Sequence, residues 1–258
     1  MTQLDNIHVS RWGTTGPRVI MVHGGTQGTM SAGHRNFRDQ EALGSDGWQL
    51  LVPDRPGHGQ SPNPGRPDDA VADAEWVAEL LGDGAHLLGH SFGGLIALAA
   101  AARRPEAVKS LTLIEPAVLQ IAMGDPAVRK MGLGMAAAMI LPWSKATRAR
   151  KFMKILAIPD EFAQSKADLD ATGASLKAIK WPSRGDMEGY LETVRKAGVP
   201  LQIISGSASA GFQAAGKMAA EKGGGMHLIA PSEHHFPQWG GAAFNTLLTD
   251  FWNRSETT

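Results

Sequence analysis

Short apolar runs alternate with helix-like segments along most of the chain. The runs are rich in Val, Ile and Leu and have the length of strands, and the segments between them repeat apolar residues at helical spacing. The pattern predicts strands at residues 19–22, 49–52, 85–88, 111–114, 201–204 and 226–229, with an antiparallel edge strand at 8–12. It predicts helices at 70–81, 92–103, 213–221 and 242–252. Such alternation is typical of the α/β class, in which helices cover a mostly parallel sheet.

One long stretch, residues 117–189, lacks any convincing buried strand and carries methionines and tryptophans among alanines. We interpret it as a helical lid inserted into a core formed by residues 1–116 and 190–258. Most of its large apolar side chains are expected to pack the lid onto the core. Because methionine adapts to irregular apolar space, Met139, Trp143 and Trp181 are the candidates for lining a substrate pocket.

The most informative motif is Gly-x-Ser-x-Gly at Gly89, Ser91 and Gly93, between an apolar strand and an alanine-rich helix. A nucleophilic serine needs a sharp strand-to-helix turn in which larger neighbours would collide. The turn also leaves the amide of Phe92 at a helix N-terminus, where it can donate to a developing oxyanion. This setting predicts Ser91 as a nucleophile.

A second oxyanion donor is predicted after the strand at 19–22, which ends in His23, Gly24 and Gly25. Glycine lets the backbone approach a substrate closely. The amide of Gly25 is the first candidate and that of Thr26 the alternative.

With these motifs, and the Asp-Arg-Pro-Gly-His-Gly-Gln-Ser turn at 54–61, the chain resembles the α/β-hydrolase superfamily over nearly its whole length. The resemblance implies an eight-stranded, mostly parallel sheet with a helical lid. It implies a catalytic triad in the order serine, acid, histidine, with neither cofactor nor metal. It also makes the 54–61 turn a structural loop, so Asp54 and His58 are not expected to be catalytic.

The base must follow Ser91 in the family's order, which leaves His227, His234 and His235. His227 lies in a strand-like run and is expected to pack. The family keeps its histidine after the last strand, commonly in Gly-His-Phe, and here His234 stands in the glycine's place. His235 is therefore the predicted base, with His234 as the alternative.

The acid departs from the family's common pattern. The usual aspartate follows the penultimate strand, but residues 203–211 contain no carboxylate. Some family branches, including certain haloalkane dehalogenases and mycotoxin lactonases, place the acid at the end of the strand before the lid. Glu115 stands there and is the predicted acid, and Asp125 and Glu233 are the alternatives.

The composition of the chain limits the classes of binding partner that are expected. Lys+Arg and Asp+Glu are both 25, so the net charge is zero, and there is no cysteine. Disulfides and thiolate sites are excluded, and nucleic acid and membranes are not expected partners. The amino terminus does not resemble a secretory signal and no run is long enough to span a bilayer, so a cytoplasmic location is expected. The oligomeric state stays open.

The resulting prediction is a serine hydrolase that cleaves a carboxylic ester or lactone of an apolar or aromatic small molecule. Two alternatives remain: a carbon–carbon bond hydrolase of a ring-cleavage diketone, and a catalytically weak ligand receptor on the same fold.

Overall fold

The structure, a computed structural model, describes residues 6–27, 31–162 and 165–257. In these ranges one sheet contains seven strands: β1 (Val9–Trp12), β2 (Arg18–Val22), β3 (Gln49–Pro53), β4 (Ala85–His90), β5 (Val108–Ile114), β6 (Leu201–Gly206) and β7 (Met226–Ala230). Their spatial order is β1-β3-β2-β4-β5-β6-β7. Every neighbouring pair is parallel except β1 with β3. All predicted strands are confirmed.

The sheet has seven strands in the described ranges, whereas the resemblance implied eight. The two edge strands are β1, which pairs with β3 alone, and β7, which pairs with β6 alone, among the described residues.

Nine α-helices lie in the described ranges: α1 (Gly33–Asn36), α2 (Ala70–Leu80), α3 (Phe92–Arg103), α4 (Pro126–Ile140), α5 (Lys145–Leu156), α6 (Lys166–Ala178), α7 (Arg184–Lys196), α8 (Ala210–Gly223) and α9 (Gly241–Glu256). The four predicted helices correspond to α2, α3, α8 and α9.

The sheet is covered on both faces because successive side chains of a strand point to opposite sides. In β2, Ile20 and Val22 pack with α2, α3, α7 and α8. Val19 and Met21 face the other side and pack with α9. A strand that is buried on both faces reads as a continuous apolar run, which explains why the strands were visible in the sequence.

Helices α4 to α7 lie between β5 and β6, in the region predicted as a lid. The buried side of α7, formed by Met187, Leu191 and Val194, belongs to the same core cluster as α3. The predicted boundary between residues 189 and 190 therefore falls inside a helix that packs against α3 and α8 in the core. The division of the chain into a core and a lid stays a proposal.

Candidate active site

Ser91 stands at the sharp turn between β4 and α3. Its φ of 54° and ψ of −121° are strained for a residue with a side chain. Its N–H donates to the carbonyl of Ile114 at 2.9 Å, which ties the turn to β5. A Cβ on Gly93 would lie 2.2 Å from the carbonyl oxygen of Val22, and one on Gly89 would lie 2.4 Å from the carbonyl oxygen of Gly93. Only glycine fits at these two positions, which is the physical content of the motif.

His235, on the loop between β7 and α9, is the histidine beside Ser91. The Ser91 hydroxyl donates to its Nε2 at 2.8 Å, and the side chain is buried. The neighbouring His234 has other partners: its Nδ1 accepts from the Phe236 amide at 3.3 Å and its ring packs edge-on against Trp239. Of the two candidates for the base, the structure brings His235 to the serine.

Glu115 reaches the other nitrogen of the imidazole. Its Oε2 accepts from His235 Nδ1, and its Oε1 accepts from the amide of Gly206 at 2.9 Å. The carboxylate is buried, and its φ of 41° lies in the left-handed region that few residues other than glycine adopt. The Glu115 N–H donates to the carbonyl of Ile204 at 2.9 Å and holds this conformation.

The other two candidate acids, Asp125 and Glu233, are not paired with His235. Asp125 caps the first turn of α4 by accepting from the amides of Ala127 and Val128, and Glu233 is exposed to solvent. The loop after β6, where the family usually carries its aspartate, supplies instead the Gly206 amide that binds Glu115. A Cβ at Gly206 would lie 3.0 Å from Glu115 Oε1, so this contact requires a small residue.

Three contacts that sequence reasoning missed hold the His235 loop. The Phe212 ring stacks on the imidazole with the ring centroids 4.7 Å apart. The His235 N–H donates at 3.3 Å to the carbonyl of Ala157, the residue that follows the last residue of α5. His90 Nε2 donates to the carbonyl of His235 at 2.7 Å.

His90 acts as a neutral donor in this contact. Complete burial, together with the nearby His235, holds the pKa of His90 well below its ordinary value. His90 is the residue before the serine in the motif, so its position was a usable signal. Phe212 follows a serine- and alanine-rich loop, and nothing in that pattern pointed to it.

The two predicted oxyanion donors flank Ser91. Phe92 is the first residue of α3, so its amide belongs to the turn whose N–H groups have no acceptor within the helix. Gly25 has a φ of 89° and lines the same cavity as Ser91. The loop before it is close, since a Cβ on Gly24 would lie 2.7 Å from the Cβ of Ser91.

The turn at residues 54–61 is hydrogen-bonded to the start of α1. Asp54 accepts from the amides of Gly33 and Gln60. Burial, with Arg55 adjacent, holds the pKa of His58 well below its ordinary value. Both side chains lie outside the cavity that contains Ser91, as expected for a structural turn.

The buried Arg55 lies under the loop that carries Gly25. It pairs with Asp68 at 2.6 Å, and Asp68 also accepts from the amide of Gln27 at 2.9 Å. The segment after Gly25 is thereby fixed to the 54–61 turn.

Ser91 opens into a cavity of about 460 Å³ between the sheet edge and helices α4 to α6. Its wall is mostly apolar and includes Met135, Met139, Phe152, Leu156, Ile179 and Trp181. Besides Ser91, the hydroxyl and amide side chains of the wall are Thr26, Ser31, Asn36, Gln120 and Thr172. Among the described residues of the wall there is no Asp, Glu, Lys or Arg.

Two of the three predicted pocket residues, Met139 and Trp181, line this cavity. Trp143 does not. It follows the end of α4, is 38% exposed, and has Lys151 Nζ over its ring at 4.3 Å. The turn between α4 and α5 directs this side chain outward.

In the ranges 6–27, 31–162 and 165–257, no group of three or more His, Asp or Glu side chains could hold a metal ion. None of the helices found there is both long and apolar enough to cross a bilayer.

Parts of this chain are similar to known proteins. A family profile described as alpha/beta hydrolase fold matches residues 17–139. A lipase, LipV of Mycobacterium tuberculosis, is 37% identical over 117 residues, which cover 44% of this chain and 42% of that protein. A pimeloyl-[acyl-carrier protein] methyl ester esterase of Neisseria meningitidis serogroup B is 38% identical over 96 residues, or 37% of this chain and 35% of that protein. The chain thus matches less than half the length of either relative.

Among solved structures, the enol-lactonase from Burkholderia xenovorans LB400 superposes with a TM-score of 0.64 at 20% identity. It covers 96% of both chains. At that identity the likeness shows the fold alone. The matched profile, the seven-stranded sheet and this superposition agree, and the chain has the α/β-hydrolase fold.

Proposed function

We propose that the protein hydrolyses carboxylic esters or lactones of neutral, apolar small molecules through an acyl-enzyme on Ser91. The observation that carries this proposal is the hydrogen-bonded series from Ser91 Oγ through the His235 imidazole to Glu115, at the end of an apolar cavity. A serine hydroxyl is a weak nucleophile unless an adjacent base takes its proton, and this series supplies such a base together with a group that orients it.

In the first half of the reaction Ser91 Oγ bonds to the carbonyl carbon while its proton passes to His235 Nε2. The carbonyl electron pair moves onto oxygen, and the amides of Gly25 and Phe92 donate to the oxyanion. When the carbonyl re-forms, the bond to the leaving alkoxide breaks. His235 then returns the proton to that oxygen.

In the second half a water molecule gives a proton to His235 Nε2 and its oxygen attacks the acyl carbon. The tetrahedral intermediate collapses to release the carboxylic acid, and the proton returns to Ser91 Oγ. Glu115 accepts the hydrogen bond from His235 Nδ1 throughout. It holds Nδ1 protonated, so that Nε2 faces the serine as an acceptor, and it stabilises the imidazolium that forms in each half.

The cavity wall supports a neutral, apolar substrate. Its volume, about 460 Å³, is within the range of ~300 to 1,000 Å³ that small-molecule pockets occupy. A charged substrate group inside it would lose its hydration without gaining an ionic partner among the described wall residues. The likeness to a lipase and to a methyl ester esterase agrees with an ester.

The carbon–carbon bond hydrolase is the second candidate, since the same triad serves it. A ring-cleavage diketone that carries a carboxylate would need a cation or several amide donors in the pocket. The described wall has no Lys or Arg, which favours the neutral ester. For the receptor alternative, the hydrogen bond from Ser91 to its base favours turnover over binding alone.

The test is hydrolysis of a short-chain p-nitrophenyl ester by the wild type, by Ser91→Ala and by Ser31→Ala. Ser31 lines the same cavity and serves as the matched control. We expect turnover to fall by about 10⁴- to 10⁶-fold in Ser91→Ala, whereas Ser31→Ala keeps most of it. Equal turnover by wild type and Ser91→Ala would contradict the proposal. Consumption of the ring-cleavage diketone, with simple esters inert, would replace it by the second candidate.

A further inference from the structure

Helix α4 presents an apolar outer face to solvent. Its exposed positions recur at helical spacing, and Leu133 and Ile140, seven residues apart on one face, are 63% and 80% exposed. Leu141 and Trp143 continue this surface past the helix end with exposures of 44% and 38%. An outward face normally carries polar side chains. Four large apolar residues exposed together in one short segment indicate a contact that the isolated chain does not make.

The charge of the same two helices is one-sided, although the whole chain is neutral. Residues 126–156 contain seven Lys and Arg and no Asp or Glu. Arg148 is buried and donates to the carbonyl of Gly173. The other six are exposed: Arg129, Lys130, Lys145, Arg150, Lys151 and Lys154. None of these six forms an ion pair with a carboxylate in the described part of the chain.

The inner sides of these helices line the substrate cavity, through Met135 and Met139 of α4 and Phe152 of α5. The outer apolar and basic surface therefore lies on the reverse side of the cavity wall. A ligand that docks there would meet the elements that cover Ser91.

We infer that this outer surface, formed by Leu133, Ile140, Leu141, Trp143 and the six exposed basic side chains, docks the protein on an anionic lipid–water interface. Aliphatic side chains and a tryptophan beside flexible basic residues match a boundary where acyl chains lie below acidic headgroups. Four of the six basic residues are lysines, and lysine is depleted at protein–protein interfaces. The pattern therefore favours a lipid surface over a protein partner. This local excess of positive charge is not apparent from the net charge of the whole chain, which is zero.

Vesicle cosedimentation tests the charge component. Wild-type protein is mixed with vesicles of phosphatidylcholine alone or of phosphatidylcholine with phosphatidylglycerol, and we expect preference for the second. Each basic residue near such a surface contributes about fivefold to partitioning, so Arg150→Gln/Lys154→Gln is expected to bind roughly 25-fold more weakly. The matched control, Arg11→Gln/Arg195→Gln, removes two exposed charges from β1 and α7 and is expected to bind like the wild type.

The apolar component has its own pair of variants. Leu133→Ser/Ile140→Ser is expected to reduce partitioning by about tenfold or more, since burial of each side chain contributes to binding. Its control is Met226→Ser/Ile229→Ser, which removes two exposed apolar side chains from the sheet edge at β7. Circular dichroism establishes that all four variants are folded.

Three outcomes would overturn the inference: no binding of the wild type to either vesicle, equal binding to both, or equal loss in a variant and its control. A dimer that Leu133→Ser/Ile140→Ser converts to monomer, without vesicle binding, would assign the surface to a second copy of the chain. Binding is measured without turnover, so this test and the test of the proposed function can fail independently.

Discussion

Glu115 combines two features that rarely occur together in a residue whose only role is packing. Its backbone has a positive φ, and its buried carboxylate uses both oxygens, one on His235 Nδ1 and one on the Gly206 amide. A non-glycine residue in such a conformation costs about 1 to 3 kcal/mol. Strain of this kind clusters at functional sites, and the two hydrogen bonds give the glutamate at this position a role beyond packing.

Replacement of Glu115 by Gln tests its role as the orienting acid. The amide keeps the shape but can present its NH₂ group to Nδ1, which favours the wrong imidazole tautomer. We expect kcat on a p-nitrophenyl ester to fall by about 10⁴-fold with the fold unchanged by circular dichroism. The controls are Asp125→Asn and Glu233→Gln, which remove the two alternative acids. Near-normal kcat in Glu115→Gln, with a large loss in either control, would assign the role of orienting acid to the residue replaced in that control.

At the scale of secondary-structure elements, the site lies where the carboxyl ends of four strands meet. Gly25 follows β2, Ser91 follows β4, Glu115 follows β5 and His235 follows β7. In open parallel sheets the carboxyl ends of strands meet at one edge. Residues that are 24 (Ser91 to Glu115) to 210 (Gly25 to His235) positions apart along the chain therefore converge without any long-range signal in the sequence beyond the strand order.

The close approach of α3 to β2 predicts a contrast between two helical glycines. A Cβ on Gly93 would lie 2.2 Å from the carbonyl oxygen of Val22 and 2.4 Å from that of His23. Both atoms are backbone and cannot yield cheaply, so Gly93→Ala is expected to lower the free energy of unfolding by about 3 kcal/mol or more.

Gly189 in α7 is the matched control, because its added Cβ would meet nothing within 4 Å. Gly189→Ala is expected to raise the free energy of unfolding by about 0.5 to 1 kcal/mol. Urea unfolding of both variants measures the contrast. Similar changes of the same sign in the two variants would show that the elbow is not closely packed.

The fold was predictable because strands buried on both faces are continuous apolar runs, and the nucleophile because Gly89 and Gly93 flank Ser91 in a strand–turn–helix setting. Glu115 was predictable as the partner of His235 only because residues 203–211 carry no carboxylate and the resemblance to certain family branches implies an acid at the end of this strand. Phe212 and the Ala157 carbonyl were not predictable, because an aromatic stack and a backbone contact across loops leave no local pattern. Trp143 was misjudged because composition does not reveal which side of a helix pair a residue faces.

At the scale of the whole molecule, buried neutral histidines couple stability to pH. Burial is the main cause that holds the pKa of His23, His58 and His90 well below the ordinary value. The unfolded chain takes up these protons near pH 6.5, at about the unperturbed value, whereas the folded protein excludes them. The unfolded state therefore binds more protons at lower pH, and the free energy of unfolding falls as the pH drops below about 6.5.

Each such histidine contributes up to about 1.4 kcal/mol per pH unit until its folded-state pKa is reached. Urea unfolding at about pH 7.5 and about pH 5.5 measures the loss. We expect His58→Asn to reduce the loss between the two pH values, and His34→Asn, at an exposed position and with only the smallest effect on His23, to leave most of it. A free energy of unfolding that is the same at both pH values would contradict this coupling.

The proposed reaction passes through a covalent acyl group on Ser91, and the mass of the protein during turnover reports this group directly. Wild type, Ser91→Ala and Glu115→Gln are mixed with a p-nitrophenyl ester, quenched in acid, digested and analysed by mass spectrometry. We expect an acyl adduct on the peptide that contains Ser91 in the wild type and none in Ser91→Ala. Steady turnover without an adduct on that peptide, or an adduct on another residue that persists in Ser91→Ala, would contradict the proposed reaction.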